Sequence, residues 1–301
     1  MLTNAQLMLQ ASQAGIVIPA FNIPYLPMME PVIQAVADQD AFALIATARL
    51  EWTKFGAKSM AEVQKEYLRW EKPEHVRLHL DHIPVIDEDN LRVDYLPLIR
   101  QAIDLGYASV MIDGSRLSLE ENIAATRQAV ELAHAAEVAC EAELGAVMGH
   151  EAGPIPPYEE LYRSGRGFTD VHECRTFVQA TGCDWLSVAI GNIHGAVSGA
   201  ARDARKVEAR LNIEHLDQLH QAAGIPLVLH GGSGVRQEYL LQAIPKGITK
   251  VNVGTEIRQA YETALRDNGA IAAIQQAVYE RTAWLLKDYF GVSGKRRLLL
   301  G

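Results

Sequence analysis

The sequence predicts a single (β/α)8 barrel of the TIM-barrel class, with extended loops after some strands and additional helices at the C-terminus. Three observations predict it. Short apolar runs and amphipathic stretches alternate eight times across 301 residues, the pattern of a parallel sheet whose crossovers are helices. Several of those runs stop abruptly at His, Asp or Asn, and a parallel barrel gathers its chemistry at the carboxyl ends of its strands. No Gly-x-Gly-x-x-Gly follows the first strand, so the doubly wound open sheet, the other α/β arrangement, lacks its dinucleotide-binding turn. The whole chain, 1–301, is read as one domain.

Residues 16–21 make the first strand, broken by Pro19 and ending in Asn22. Residues 28–38 follow as a helix because Met29, Val32, Ile33 and Val36 recur at helical spacing. The apolar run 42–46 is the second strand and the amphipathic stretch 59–70 the next helix. The third strand, 77–80, runs out into Asp81-His82 and a loop containing Pro84. Residues 94–105 are helical and stopped by Gly106. Strand four, 109–112, leads into Asp113-Gly114-Ser115, and Ser118 with Glu121 has the spacing of a capping box opening a helix to about residue 136. Strand five, 138–144, carries Glu141 and Glu143 inside an otherwise apolar run. Residues 145–167 hold five glycines and three prolines and read as one long loop.

After a helix over 170–181, strand six (185–189) runs into Gly191-Asn192-Ile193-His194-Gly195. A charged stretch, 202–210, precedes a helix at 213–223. Strand seven, 226–229, ends in His230-Gly231-Gly232-Ser233-Gly234, and a helix at 237–244 leads to strand eight, 250–253. Helices at 256–267 and 270–288 close the chain before the basic tail Lys295-Arg296-Arg297.

The composition sets outer bounds. Hydrophobic residues are 49 % and charged residues 22 %, enough apolar content to bury a sizeable core. A net charge of −9 with no basic stripe argues against a nucleic-acid partner. Cys140, Cys174 and Cys183 are an odd set without metal-type spacing, which fits a reducing compartment. Neither a signal peptide nor an apolar run of membrane-spanning length is apparent. The expectation is a cytoplasmic protein with no membrane partner.

Three histidines share one topological address. His82 follows strand three, His194 strand six and His230 strand seven, so a barrel brings them together at its carboxyl rim. Three imidazoles with a position left open are a catalytic zinc set. Each singly is an ordinary structural histidine; the shared address makes them a site. The glycine-rich segment 231–234 and the segment Asn252-Val253-Gly254-Thr255 end the last two strands, where barrels bind phosphate through backbone N–H groups and a helix N-terminus. Ser233, Asn252 and Thr255 can add side-chain hydrogen bonds.

The strings His-Leu-Asp-His, Met-Ile-Asp-Gly-Ser, Glu-Ala-Glu-Leu-Gly, Ala-Ile-Gly-x-x-His-Gly, Leu-His-Gly-Gly-Ser-Gly and Lys-Val-Asn-Val resemble the class II, zinc-dependent ketose-bisphosphate aldolases, the fructose- and tagatose-1,6-bisphosphate aldolase type. The resemblance runs in order from about residue 4 to 267 and includes the opening Pro19-Ala20-Phe21-Asn22. It implies a carbon–carbon lyase that cleaves a ketose (bis)phosphate to dihydroxyacetone phosphate and an aldehyde, with a sugar phosphate as its small-molecule partner. It implies that His82, His194 and His230 hold the catalytic zinc and that Asp81 handles the proton of the hydroxyl on the cleaved carbon. Asp113 and Glu143 match acidic residues near the metal that can hold a second divalent ion. Glu151, eight residues after Glu143, matches a loop carboxylate that shuttles the enediolate proton. Asn22, Gly195, Gly231, Ser233, Asn252, Gly254 and Thr255 are the implied substrate- and phosphate-binding positions, with Gly195 and Gly231 also near a monovalent cation (Na+ or K+). A homodimer or homotetramer is implied in the same way.

The chemistry asks for these residue types independently. Splitting a bond next to a carbonyl leaves a carbanion that must be stored as an enediolate; without a Schiff-base lysine, a divalent metal is the available electron sink. One group must take the hydroxyl proton and another must return a proton to carbon. A metal-dependent hydrolase on the same barrel would place His-x-His on the first strand, which has no histidine, and a catalytically dead binding protein would have lost Asp81 or a histidine.

Four segments depart from the family pattern. An insertion-like loop, 83–93, follows His82. Ala152 stands where an Asp is usual, with His150 before Glu151. The segment 196–211 is rich in Arg and Lys. After strand two, the stretch 47–70 carries Arg49, Glu51 and Trp52 in place of small polar residues. All four are expected to border the substrate's far end, with Arg49, Arg202, Arg205, Lys206 and Arg210 as cations there.

Overall fold

The computed structural model describes residues 2–147, 157–193, 208–267 and 269–300. In order, it contains α1 (Asn4–Ala14), β1 (Ile18–Asn22), α2 (Met29–Asp38), β2 (Ala43–Ala48), α3 (Arg49–Thr53), α4 (Met60–Trp70), β3 (Val76–Pro84), α5 (Tyr95–Asp104), β4 (Ser109–Asp113), α6 (Leu119–His134) and β5 (Ala139–Leu144). It continues with α7 (Tyr158–Ser164), α8 (Val171–Thr181), β6 (Trp185–Val188), α9 (Ile213–Ala223), β7 (Leu227–Leu229), α10 (Gln237–Ala243), β8 (Ile248–Val253), α11 (Thr255–Arg266), α12 (Ile271–Trp284) and α13 (Arg296–Leu300). The eight strands close in sequence order, β1 pairing β8, and every pairing is parallel. The fold is the (β/α)8 barrel that the alternation predicts.

Strands in such a barrel are buried on both faces, which is why their sequences are near-continuous apolar runs. β1, β2 and β5 contain no exposed residue. Outward-facing strand residues pack under helices such as α2, whose Val32, Ile33 and Val36 are buried in the core. The predicted capping box forms: the Ser118 hydroxyl accepts from the Glu121 amide, and the Glu121 carboxylate accepts from Ser118. All three cysteines are buried and free. No helix among the described residues is long and apolar enough to cross a membrane.

Five local expectations change. β3 does not stop at residue 80: it continues to Pro84, with a register shift against β4 between Leu80 and Ile83. A helix, α1, precedes the first strand, capped reciprocally by Thr3 and Gln6; its apolar moment is modest, so periodicity alone gives little signal. The loop 145–167 contains helix α7, stopped at Gly165. The insertion-like loop after His82 is ordered as a short hairpin: Ile86 bridges Arg92, and the buried Asp87 carboxylate accepts the amides of Asp89 and Leu91. At the C-terminus, the basic tail folds as α13, with Arg296 ion-paired to Asp40 and Glu74.

Candidate active site

The site is built from residues two apart on three strands. Successive strand side chains alternate faces, so His79 and Asp81 on β3, Glu141 and Glu143 on β5, and Lys250 and Asn252 on β8 each present a pair to the barrel interior. All six are buried. They form two polar layers beneath the carboxyl rim.

In the upper layer Asp81 accepts from the carboxamides of Asn22 and Asn252, each at 2.8 Å. Asn22 and Asn252, expected on substrate, both line the cleft and donate to Asp81 there. Burial raises the Asp81 pKa, but the nearby His82, Lys250 and His230 outweigh it and hold the carboxyl below its ordinary range. The two amides also favour the anion by hydrogen bonding to it. Asp81 therefore stands as an ionised, oriented acceptor rather than a turn cap.

Strict alternation would turn His82 away from Asp81. The irregularity in β3 prevents this: His82 has φ +31°, its amide donates to Met111 Sδ, and the strand resumes in register at Ile83. The extra residue of a bulge re-aims a side chain in this way. Asp81 and His82 consequently belong to one group of metal-capable atoms with His230. A second group joins His82 to Asp113 and Glu143.

The two imidazoles face each other, His82 Nε2 against His230 Nδ1. Each outer nitrogen has a carboxylate: Asp113 Oδ2 lies 3.3 Å from His82 Nδ1, and Glu141 Oε1 lies 2.7 Å from His230 Nε2. A carboxylate behind each histidine fixes tautomer and ring orientation at metal centres. Glu143 Oε2 sits 3.9 Å from His82 Nδ1 and 3.7 Å from His230 Nδ1, buried and with no hydrogen-bond partner among the described residues. Two inward nitrogens and an orphaned carboxylate oxygen suit a divalent cation. Burial first, then Asp113, pushes the Glu143 pKa well up. The His82 ring is disfavoured as a cation by burial, but Asp81, Asp113 and Glu143 raise its pKa to about 10. Without a cation, the site holds protons instead.

Below lies a network that the sequence reading did not assign. Glu141 accepts from Lys250 Nζ at 2.7 Å and from the Trp185 indole, in addition to its contact with His230. Lys250 is fully buried and also lies 3.8 Å from Asp81. His79 reaches Ser109 at 2.9 Å, and burial, then the Lys250 charge, lower its pKa to about 3, so it is neutral. The i, i+2 recurrence of polar residues inside apolar strands was the available signal. Replacing Glu141 with Gln is expected to weaken zinc binding by about 10- to 100-fold, because His230 loses its orienting anion; competition against a chelator of known affinity measures it, and unchanged affinity would separate Glu141 from the metal.

The phosphate-loop residues converge on the same cleft. Gly231, Ser233, Gly254 and Thr255 line it with Asp81, His82 and His230. Gly232 N–H donates to Asn252 C=O at 3.1 Å, tying the loops together, and a Cβ at Gly232 would fall 2.3 Å from Val251 Cγ1. Only glycine lets these backbones meet. α11 begins at Thr255, pointing its N-terminus toward the cleft-lining loops.

The cleft is also lined by Arg49, Glu51, Phe55, Ile86, Glu88 and Arg116. Of the expected cations, Arg49 is present there. Arg210 is elsewhere: it pairs with Glu159 at 2.7 Å and lies over Tyr162, since α7 folds against that segment. His194, Gly195, Glu151, His150, Ala152, Arg202, Arg205 and Lys206 lie outside the described residues. The loop before them is held in place, with Asn192 Nδ2 donating to the His230 carbonyl at 3.0 Å.

Comparison with known proteins gives a consistent result. Residues 3–295 match the family described as fructose-bisphosphate aldolase class-II. A fructose-bisphosphate aldolase of Staphylococcus aureus (strain Mu50 / ATCC 700699) is 32 % identical over 266 residues, covering 87 % of this chain and 84 % of that protein. The crystal structure of the YdjI aldolase from Escherichia coli K12 superposes with a TM-score of 0.76 at 28 % identity, covering 98 % of this chain and 100 % of that one. A putative fructose-1,6-biphosphate aldolase from Coccidioides immitis gives 0.75 at 25 % identity, covering 97 % and 96 %.

Proposed function

Because the chain belongs to the class II fructose-bisphosphate aldolase family, we propose that it is a zinc-dependent lyase cleaving and forming the C3–C4 bond of a ketose carrying phosphate on C1. Fructose 1,6- and tagatose 1,6-bisphosphate are the first substrates to test. The observation that carries this reading is one cleft lined by Asp81, His82 and His230 together with Gly231, Ser233, Gly254 and Thr255. An acid/base carboxylate, metal-capable imidazoles and a phosphate cradle thus share one cleft.

In this reading the phosphate of the dihydroxyacetone phosphate half sits against the loops after β7 and β8, at the N-terminus of α11. His82 and His230, with His194 as third ligand, hold the zinc, and Asp113 and Glu143 are the nearby carboxylates. When bound, the ion supplies a Lewis acid that stabilises negative charge developing on the ketose oxygens. Asp81, aligned by Asn22 and Asn252, takes the hydroxyl proton on the cleaved carbon, and Glu151 returns a proton to the nucleophilic carbon. Lys250 is the buried lysine among the described residues. It does not line the cleft, and its ammonium is engaged by Glu141, so a Schiff-base route has no structural support.

A second reading concerns the aldehyde half. Arg49 is paired with Asp87 at 3.2 Å, Lys54 with Glu88 and Asp89, and Arg258 with Glu262. The third cleft-lining arginine, Arg116, is engaged by the Asp87 carbonyl and the Asn90 side chain, and cations already engaged in this way favour an aldehyde other than glyceraldehyde 3-phosphate. A cleavage screen of ketose 1-phosphates and 1,6-bisphosphates with added zinc, coupled to detection of dihydroxyacetone phosphate, tests both readings. Release of that product from one of them is expected; release from none would end the first reading. Efficient and selective cleavage of fructose 1,6-bisphosphate would end the second.

A further inference from the structure

Glu51 is a carboxyl in an unusual place. It sits on α3, directly after β2, with 7 % of its surface exposed, and it lines the cleft beside Asp81. One carboxylate oxygen accepts the Ala48 amide. The Asn22 side chain, whose amide donates to Asp81, also neighbours the Glu51 carboxyl. The reacting carboxylate and Glu51 thus share one neighbouring carboxamide.

We propose that Glu51 is a specificity-determining residue of the aldol reaction, hydrogen-bonding the hydroxyl on the carbon adjacent to the aldehyde carbon of the electrophilic half. The inference rests on the aldolase reading above. Asp81 meets the hydroxyl on the cleaved carbon, and Glu51 lines the same cleft from the loop after β2. The loops after β7 and β8 are assigned to the phosphate half, which leaves the loop after β2 to meet the aldehyde half. The hydroxyl next to the reacting one along a polyol chain is the group that a second carboxyl in the cleft with Asp81 can meet. Burial, then the charge of Asp81, raises the Glu51 pKa to about 8, leaving the group able to donate at neutral pH.

A cap for α3 is the competing role, since Glu51 accepts the amide that opens that helix. Glu121 performs the same task on α6, but from solvent. Capping needs no carboxyl buried in a cleft, and burying one carries a desolvation cost that a substrate hydroxyl offsets.

The test compares condensation of dihydroxyacetone phosphate with glycolaldehyde and with acetaldehyde, which differ by that one hydroxyl, using the zinc-loaded full-length protein. Wild type is expected to favour glycolaldehyde in kcat/KM by on the order of 10²-fold or more, as sites that bind a hydroxyl reject analogues lacking it. Glu51→Ala should reduce the ratio at least tenfold. Glu51→Gln preserves the α3 cap, because its oxygen can still accept from Ala48, and should lower the ratio to an intermediate value. Retention of the wild-type ratio by Glu51→Gln, whether or not Glu51→Ala loses it, would assign Glu51 to capping and overturn the proposal. Wild-type exchange of the carbon-bound proton of dihydroxyacetone phosphate with solvent is measured alongside. Exchange with an unaltered ratio rejects the inference alone, whereas no exchange rejects the aldolase reading on which it stands.

Discussion

Asp81→Ala is expected to keep its zinc and lose carbon–carbon cleavage by about 10²–10⁴-fold, the range for a general acid/base. The carboxylate is held at two points by Asn22 and Asn252 and lies 3.8 Å from the Lys250 ammonium, so its acceptor direction is fixed before substrate arrives. Removing it leaves two buried amides without their acceptor, at a cost of about 1–3 kcal/mol for each group left unsatisfied. Asp81→Asn retains the shape and provides the control for that loss. Asp81 also belongs to a metal-capable group with His82 and His230, which makes zinc content the deciding second readout. Normal cleavage by Asp81→Ala would reject the proton-transfer role, and loss of zinc with activity would make Asp81 a ligand.

His230→Ala should lose tight zinc binding and turnover together while the barrel remains folded. His230 is fully buried, with Nε2 fixed by Glu141 and Nδ1 turned toward His82. Chelation of the wild type should abolish turnover and zinc should restore it. Full activity of the metal-free protein would reject the metal reading. Zinc uptake should also release protons. The His82 pKa is raised to about 10 and that of Glu143 is raised well above the ordinary carboxylate range, so protons compete with the ion for these positions. Zinc affinity should therefore rise with pH and fall as protons compete. Calorimetry in buffers of different ionisation enthalpy measures the release, and an affinity independent of pH between 6 and 8 would contradict it.

Much of the architecture was legible because barrel strands carry a one-dimensional signature. A strand buried on both faces is an apolar run, and the polar residue ending it marks the rim. The eight runs, the positions of Asp81, His82 and His230 at that rim, and the glycine loops after β7 and β8 follow from this alone. The i, i+2 pairs His79/Asp81, Glu141/Glu143 and Lys250/Asn252 also carry the period of a strand, and the sequence motifs point only to their upper members, Asp81, Glu143 and Asn252.

The tertiary structure decided what depends on pairing between distant segments. Alternation along the chain cannot put Asp81 and His82 on one site; the register shift of β3 against β4, with the positive φ of His82, does so. Arg210 looked like a far-end cation until α7 supplied Glu159 as its partner. Arg49 does reach the cleft, but with Asp87 of an ordered hairpin already on its guanidinium. Glu51 read as a departure in sequence, and the turn of α3 places it beside Asp81. The sequence determined which strands exist and which residues end them, because burial on both faces imposes that pattern locally. Only closure of the barrel decided which charges meet, because strand register and loop path bring together groups whose separation in sequence carries no trace of their contact.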